Sequence, residues 1–319
     1  QAQSLSAQEL DNHALFFGAV MGEAALAGRD KLTIVTDPSF NSFGAWAEQL
    51  IAESTGKEGK GIVPIDGESI LAAEKYGNDR LFVYLRQDGE HDNFVAALGE
   101  NNQPVMEIPI TDHYSLFTEF YRWEYATAIA CHILGVNAFN QPNVEAAKIE
   151  ARAQIDAYNQ NGMLDEGQPV WEQDGVKLYA DFEIREASLS SAFDSFLAQG
   201  QESDYVALQA YLPRNPQTGA SLKKLRDFIQ GKTGLATTLG YGPRFLHSTG
   251  QLHKGGANNG IFIQITMDAE TDIDIPAQGM SFGTLERAQT LGDFSALLAS
   301  GRRVLRVHLP SLDKLSQLQ

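Results

Sequence analysis

Short runs of β-branched residues alternate along this chain with longer stretches whose apolar residues recur every three or four positions. That alternation limits the possible folds more than any other feature. Lys31-Leu-Thr-Ile-Val-Thr36 reads as a strand, because a nearly continuous apolar run of this length suits a strand covered on both faces. Behind it, Phe43, Trp46, Ala47, Leu50 and Ile51 form one stripe, and this 3.6-residue period predicts a helix over 43–54. Further strands are expected over 61–65, 80–85 and 105–110, with short helices over 69–75 and 93–98. A strand–helix–strand rhythm of this kind implies a parallel sheet with helices on both faces.

The second half of 116–134 is apolar all round (Ala126, Ala128, Ile129, Ala130, Cys131, Ile133, Leu134). A helix with no polar face is buried within a larger fold, and Gly135 is its expected stop. Residues 150–203 are polar, with a turn at Gly167-Gln-Pro169, and read as an excursion of surface helices outside the core. Strands resume over 205–212, 235–239, 260–266 and 303–309, separated by helices over 220–230 and 282–300. No internal repeat, low-complexity run or flexible Gly/Ser linker interrupts the chain. The expectation is one α/β domain over 1–319 with an insertion at about 150–203.

Composition narrows the class. With 319 residues, 43% hydrophobic and 20% charged, the chain has the make-up of a globular protein. Its 24 Lys and Arg against 41 Asp and Glu leave a net charge of −17, which argues against a general nucleic-acid binder or a polybasic membrane binder. The longest apolar run, Tyr125 to Leu134, is too short to span a bilayer. The single cysteine, Cys131, allows no intrachain disulfide. It reads most simply as a reducing compartment, so a cytoplasmic location is expected.

Three segments could carry chemistry. The first, Glu48 to Gly61, ends an amphipathic helix at Glu53 and follows it with Gly56, Lys57, Gly59, Lys60 and Gly61. Glycine lets a backbone approach an anion and lysine supplies charge. The alternative is a Gly cap followed by a solvated loop. A Walker loop is excluded, since Ile51 stands where its first glycine belongs. The second is Phe139-Asn-Gln-Pro-Asn-Val-Glu-Ala-Ala-Lys148, a turn leading into a helix that Asn143 is placed to cap. Gln141 and Lys148 flank the helix start, which attracts anions; the alternative is a plain capped helix. The third, Gly240 to Gly256, gathers Arg244, His247, His253 and Lys254 in a run rich in turn formers. The six-residue spacing of its histidines matches no zinc motif. They are proton carriers or structural loop residues.

The second segment resembles the C-terminal signature of phosphoglucose isomerases: aromatic, Asp or Asn, Gln, x, Gly, Val, Glu, x, x, Lys. Asn143 replaces the usual glycine. Gln49 to Lys57 is similar to the segment that carries the family's base. Ala25-Leu-Ala-Gly-Arg-Asp-Lys-Leu32 and Gly240 to Gly256 look like a bacterial branch that includes transaldolase/phosphoglucose isomerase fusions. The resemblance runs over nearly the whole chain. It implies a sugar isomerase (SIS) fold, flavodoxin-like, and interconversion of glucose 6-phosphate and fructose 6-phosphate without metal or organic cofactor. By motif, Glu53 matches the enediol base, Gln49 a substrate-binding glutamine, and Gln141 and Lys148 the glutamine and lysine of the signature. His247 is the first choice for the imidazole that opens the sugar ring. Lys57, Arg244, His253 and Lys254 stand beside these motifs as substrate-binding candidates.

In the family order the ring-opening histidine precedes the C-terminal signature, whereas here the histidine-rich run follows it. The Ser/Thr-rich phosphate loop and the Gly-Gly-Arg-aromatic-Ser motif of the first SIS subdomain have no counterpart. With Gln1 in place of Met, this predicts a C-terminal fragment whose partner is that subdomain, with a transaldolase a further expectation upstream. A homodimer is a third expectation, as family members are often dimers. A non-catalytic phosphosugar-binding SIS module is the competing reading, but it would need the phosphate loop and not the base. A nucleotide binder would want a Gly-rich turn after the first strand, and Thr36-Asp-Pro-Ser-Phe-Asn41 offers none.

Overall fold

The computed structural model describes residues 12–319, with the backbone alone at 144–147. The chain forms two compact units, one ending at Pro142 and completed by Ser248–Ala257, the other made of Asn143–His247 and Asn258–Gln319.

The first unit begins with α1 (His13–Leu26), β1 (Lys31–Thr36), α2 (Asn41–Thr55), β2 (Val63–Ile65), β3 (Arg80–Arg86), α3 (Asp92–Glu100), β4 (Val105–Pro109) and α4 (Ser115–Leu134). Its four strands pair in the order β2-β1-β3-β4, all parallel. Alternation along β3 explains how both faces are covered. Leu81, Val83 and Leu85 join the cluster of Phe17, Phe43, Ile51 and Trp123 from α1, α2 and α4. Phe82 and Tyr84 join Leu98 of α3 on the other side. Helix α1 approaches α4 closely because Gly18 has no side chain: a Cβ there would lie 2.5 Å from the Ala126 carbonyl oxygen.

The second unit runs α5 (Val144–Asn161), β5 (Trp171–Gln173), β6 (Val176–Tyr179), α6 (Leu189–Leu197), β7 (Tyr205–Tyr211), α7 (Pro216–Thr233) and β8 (Ala236–Tyr241). After α8 (Gly250–Gly255), which belongs to the first unit, it continues with β9 (Gly260–Met267), α9 (Phe282–Ala299) and β10 (Arg303–Leu309). The sheet order is β5-β6-β10-β9-β7-β8. β10, β9, β7 and β8 are parallel, while β5 and β6 are antiparallel to their neighbours. Val206, Leu208 and Ala210 pack with α6 and α7 through Phe193, Phe196, Leu222 and Leu225. The other face carries polar residues: Gln264 of β9 donates to Asp293 of α9 at 3.3 Å.

A parallel sheet with helices on both faces is as expected. The expected single domain is not, since the two strand sets close into separate sheets. Nor is 150–203 an excursion outside the core. Leu189, Ala192, Phe193, Phe196 and Leu197 of α6 are buried in the main cluster. The hairpin of β5 and β6 extends the sheet, turning through Asp174 and Gly175, both at positive φ, as a two-residue hairpin turn requires. Over 69–75 only a 3-10 turn at Ala73–Lys75 forms.

Candidate functional site

Helix α2 buries Phe43, Ala47, Ile51 and Ala52, which leaves Glu53 half-buried on its last turn and Gln49, four residues earlier on the same side, exposed. The helix ends as the Gly56 N–H donates to the Ala52 carbonyl at 3.1 Å. Lys57 and Lys60 then exchange backbone hydrogen bonds at 3.0 and 2.9 Å. Between them Glu58 and Gly59 take φ of 56° and 75°, so the glycine-rich run is a tight turn of the primed type. The Thr55 hydroxyl closes its base, donating to the Ile51 carbonyl at 2.8 Å and accepting from the Ile62 N–H at 3.0 Å.

Of the two lysines of this turn, Lys57 is buried and Lys60 is exposed. Lys57 is 1% exposed, which excludes a merely solvated loop. Its Nζ donates to the Asn137 carbonyl at 2.6 Å, and Lys60 Nζ donates to the Leu134 carbonyl at 2.7 Å. Both bind carbonyl groups at or just past the C-terminal end of α4, where the helix dipole favours cations. Burial lowers the Lys57 pKa, against the opposing pull of Cys131, Glu53 and Glu58. Burial also pushes the Cys131 thiol up to about 11, Lys57 pulling the other way. The charge of Lys57 thus acts on Glu53 from a position fixed by the α4 end.

Helix α8 is pinned against this turn. Gln251 Nε2 donates to the Gly56 carbonyl at 2.8 Å, and the Gly59 N–H donates to the Gly255 carbonyl at 2.9 Å. A side chain at Gly56 would drive its Cβ into the Leu252 Cα, so only glycine permits the approach. His253 and Lys254, on α8, are buried at 3% and 5% exposure, with Lys254 Nζ donating to the Gly250 carbonyl at 3.4 Å.

The structure therefore brings together Glu53, Lys57 and the helix that carries His253 and Lys254, all in the first unit, with Gln49 on the Glu53 side of α2. Gln141 is exposed in the turn after α4 of that unit. Lys148, Arg244 and His247 belong to the second unit and are exposed there, Lys148 on α5 and the other two in a 3-10 turn. Cys131 and Asn137, which back the Lys57 ammonium, carry no signal in the sequence beyond their place at the end of an apolar helix. Among the described residues no group of three or more His, Cys, Asp or Glu side chains is arranged to hold a metal ion. No helix among them is long and apolar enough to cross a membrane.

The carboxyl edge of the first sheet carries one more feature. Asp37, just past β1, is fully buried. Its carboxylate accepts from the Tyr84 hydroxyl at 2.7 Å and from the backbone N–H groups of Gln87, Asp88 and Gly89 at 2.8, 2.6 and 3.0 Å. Burial would raise its pKa, but these four donors outweigh burial and hold it below the ordinary 3.8.

No family model matches the chain. By sequence it is similar to glucose-6-phosphate isomerases. It is 29% identical over 178 residues to the enzyme of Leptospira biflexa, covering 43% of this chain and 40% of that one. With Pediococcus pentosaceus the identity is 28% over 152 residues, covering 35% and 34%, and with Limosilactobacillus reuteri 29% over 184 residues, covering 45% and 38%. The chain thus spans about two fifths of the length of the curated relatives it matches. Among solved structures, a hypothetical protein from Thermus thermophilus aligns with a TM-score of 0.35 at 11% identity, covering 97% of this chain and 81% of that one. The C-terminal domain of glucosamine-fructose-6-phosphate aminotransferase from Francisella tularensis aligns at 0.23 and 12%, covering 100% and 94%. Over the part that matches, this chain is a distant relative of the glucose-6-phosphate isomerases.

Proposed function

We propose that this chain carries the base of an aldose–ketose isomerase that interconverts glucose 6-phosphate and fructose 6-phosphate in the cytoplasm. The observation that carries the reading is Glu53. It is a half-buried carboxylate on the last turn of α2, acted on by the buried ammonium of Lys57, in a segment similar to the one that holds the base in phosphoglucose isomerases. An imidazole from Gly240 to Gly256 opens the ring by moving a proton between the ring oxygen and the C1 hydroxyl. Glu53 then takes the proton from C2, giving a cis-enediolate; as the hydroxyl proton moves from O2 to O1, through a cis-enediol, Glu53 returns its proton at C1 to form the ketose. A positioned carboxylate suits this work. Gln49 and Gln141 hold hydroxyls. The main grip on the phosphate belongs to the part of the relatives' length that this chain does not span.

In the protein that carries this chain, Glu53→Gln lowers kcat by about 10³-fold while leaving sugar-phosphate affinity within about threefold, a split read from steady-state rates beside calorimetric titration. Turnover within tenfold of wild type overturns the assignment. Binding by the wild type with no turnover at all means a non-catalytic phosphosugar-binding module instead.

A further inference from the structure

The second unit holds a cleft of its own, independent of Glu53. It has a volume of about 760 Å³ and lies beyond the carboxyl ends of β7, β8 and β9: its walls include Tyr211 to Arg214, Tyr241 to Arg244 and Thr266 to Ala269, the residues that end or follow those three strands. The sheet order explains the place. From β7 the chain moves through α7 to β8 on one side, and from β9 it moves through α9 to β10 on the other. The loops leaving β7 and β9 therefore diverge between neighbouring strands. Such a switch point opens a crevice in any open parallel sheet, and ligands of such sheets bind there.

The groups facing this cleft are not fully used by the protein itself. The Arg214 guanidinium lies over the Tyr241 ring at 5.7 Å and has no ion pair among the described residues. The Tyr211 ring lines the wall, while its hydroxyl is buried behind it with Thr290 beside it. Charge is divided across the walls. Arg214 and Arg244 follow β7 and β8, whereas Asp268 follows β9 and Glu286 lies on α9. Arg287 pairs with Asp268 and so offsets that carboxylate. Desolvation raises the carboxyl of Glu286, with Arg287 opposing and nearby Asp272 adding to the rise; exposed on this wall, it can accept hydrogen bonds from hydroxyl groups. Guanidinium groups suit a phosphate; carboxyl groups suit a chain of hydroxyls.

We infer that the cleft at the carboxyl edge of β7, β8 and β9 is a second ligand site, taking a small phosphorylated polyol with its phosphate toward Arg214 and its hydroxyls toward Glu286. The site stands or falls separately from the isomerase reading. The probe is glucitol 6-phosphate, which cannot isomerise, added to the whole protein and followed by calorimetry and by amide hydrogen exchange. Expected are slowed exchange at 211–214 and 266–269, at least tenfold weaker binding at this site in Arg214→Ala with isomerisation unchanged, and no loss of this protection in Glu53→Gln. Arg214 is exposed in a loop, so its removal leaves the core intact. Protection absent from those segments, or Arg214→Ala binding as tightly as wild type, overturns the site. Equal protection by inorganic phosphate alone at the same concentration overturns the polyol assignment.

Discussion

Asp37 shows how one residue can settle the character of a sheet edge. In an open parallel sheet the backbone N–H groups beyond a strand form a ready anion nest. Here the nest at 87–89 is filled from within by the Asp37 carboxylate. That accounts for a nucleotide binder's absent glycine turn after β1: a fixed carboxylate occupies the place of a bound anion. The sequence reading excluded a nucleotide there from the missing glycines alone, and nothing in Thr36-Asp-Pro-Ser announces that residues fifty positions away will close over the aspartate. Because its folded pKa is depressed, the stabilisation is present above the unfolded pKa of about 3.8 and is lost as pH falls through the lower folded value. Asp37→Asn should destabilise the protein at pH 7 by about 2 kcal/mol and flatten the fall in stability below pH 4, as measured by urea unfolding at a series of pH values. An unchanged acid limb would refute the role.

At the scale of elements, the legible parts were those in which one residue pattern has one burial consequence. The stripe from Phe43 to Ile51 could bury only as a helix, and the β-branched runs at 31–36, 205–211 and 303–309 only as covered strands. The burial of helix α6 was missed for a physical reason. Leu189, Ala192, Phe193, Phe196 and Leu197 follow helical spacing, but they lie in a segment whose average polarity conceals a short stripe. The Asp174-Gly175 hairpin signal went unread in the same segment. Of the candidate site, the sequence displays the carboxylate but not its surroundings: Lys57 reads as a solvated cation until α4 is placed beside it. Close helix contact is a second thing that spacing does not reveal. Gly18 looks like an ordinary small residue, yet its lack of a Cβ sets how near α1 comes to α4. Gly18→Ala should therefore cost about 1–3 kcal/mol through overpacking, although alanine favours an isolated helix. Chemical denaturation decides the sign, and a stabilised variant would show that the two helices separate easily.

At the scale of the whole molecule, partition into two sheets was invisible because strands of both read alike, and pairing partners lie far apart in the chain. Charge, by contrast, is a whole-chain property that needs no fold. A net charge of −17 repels itself in the compact state. Salt screens that repulsion over a Debye length of about 10 Å at 0.1 M. Raising sodium chloride from about 20 to about 300 mM should lift Tm by roughly 2–5 °C, as read by calorimetry. A Tm that falls would mean that exposed attractive pairs such as Lys223 with Asp227 dominate. The path of the backbone has a separate effect. Helix α8, which braces the turn after Glu53, is encoded nearly two hundred residues later. As the nascent polypeptide leaves the ribosome, the earlier sheet can form while this brace is still untranslated. The Glu53 carboxylate therefore acquires its finished setting late in synthesis, once most of the second unit's sequence has also emerged.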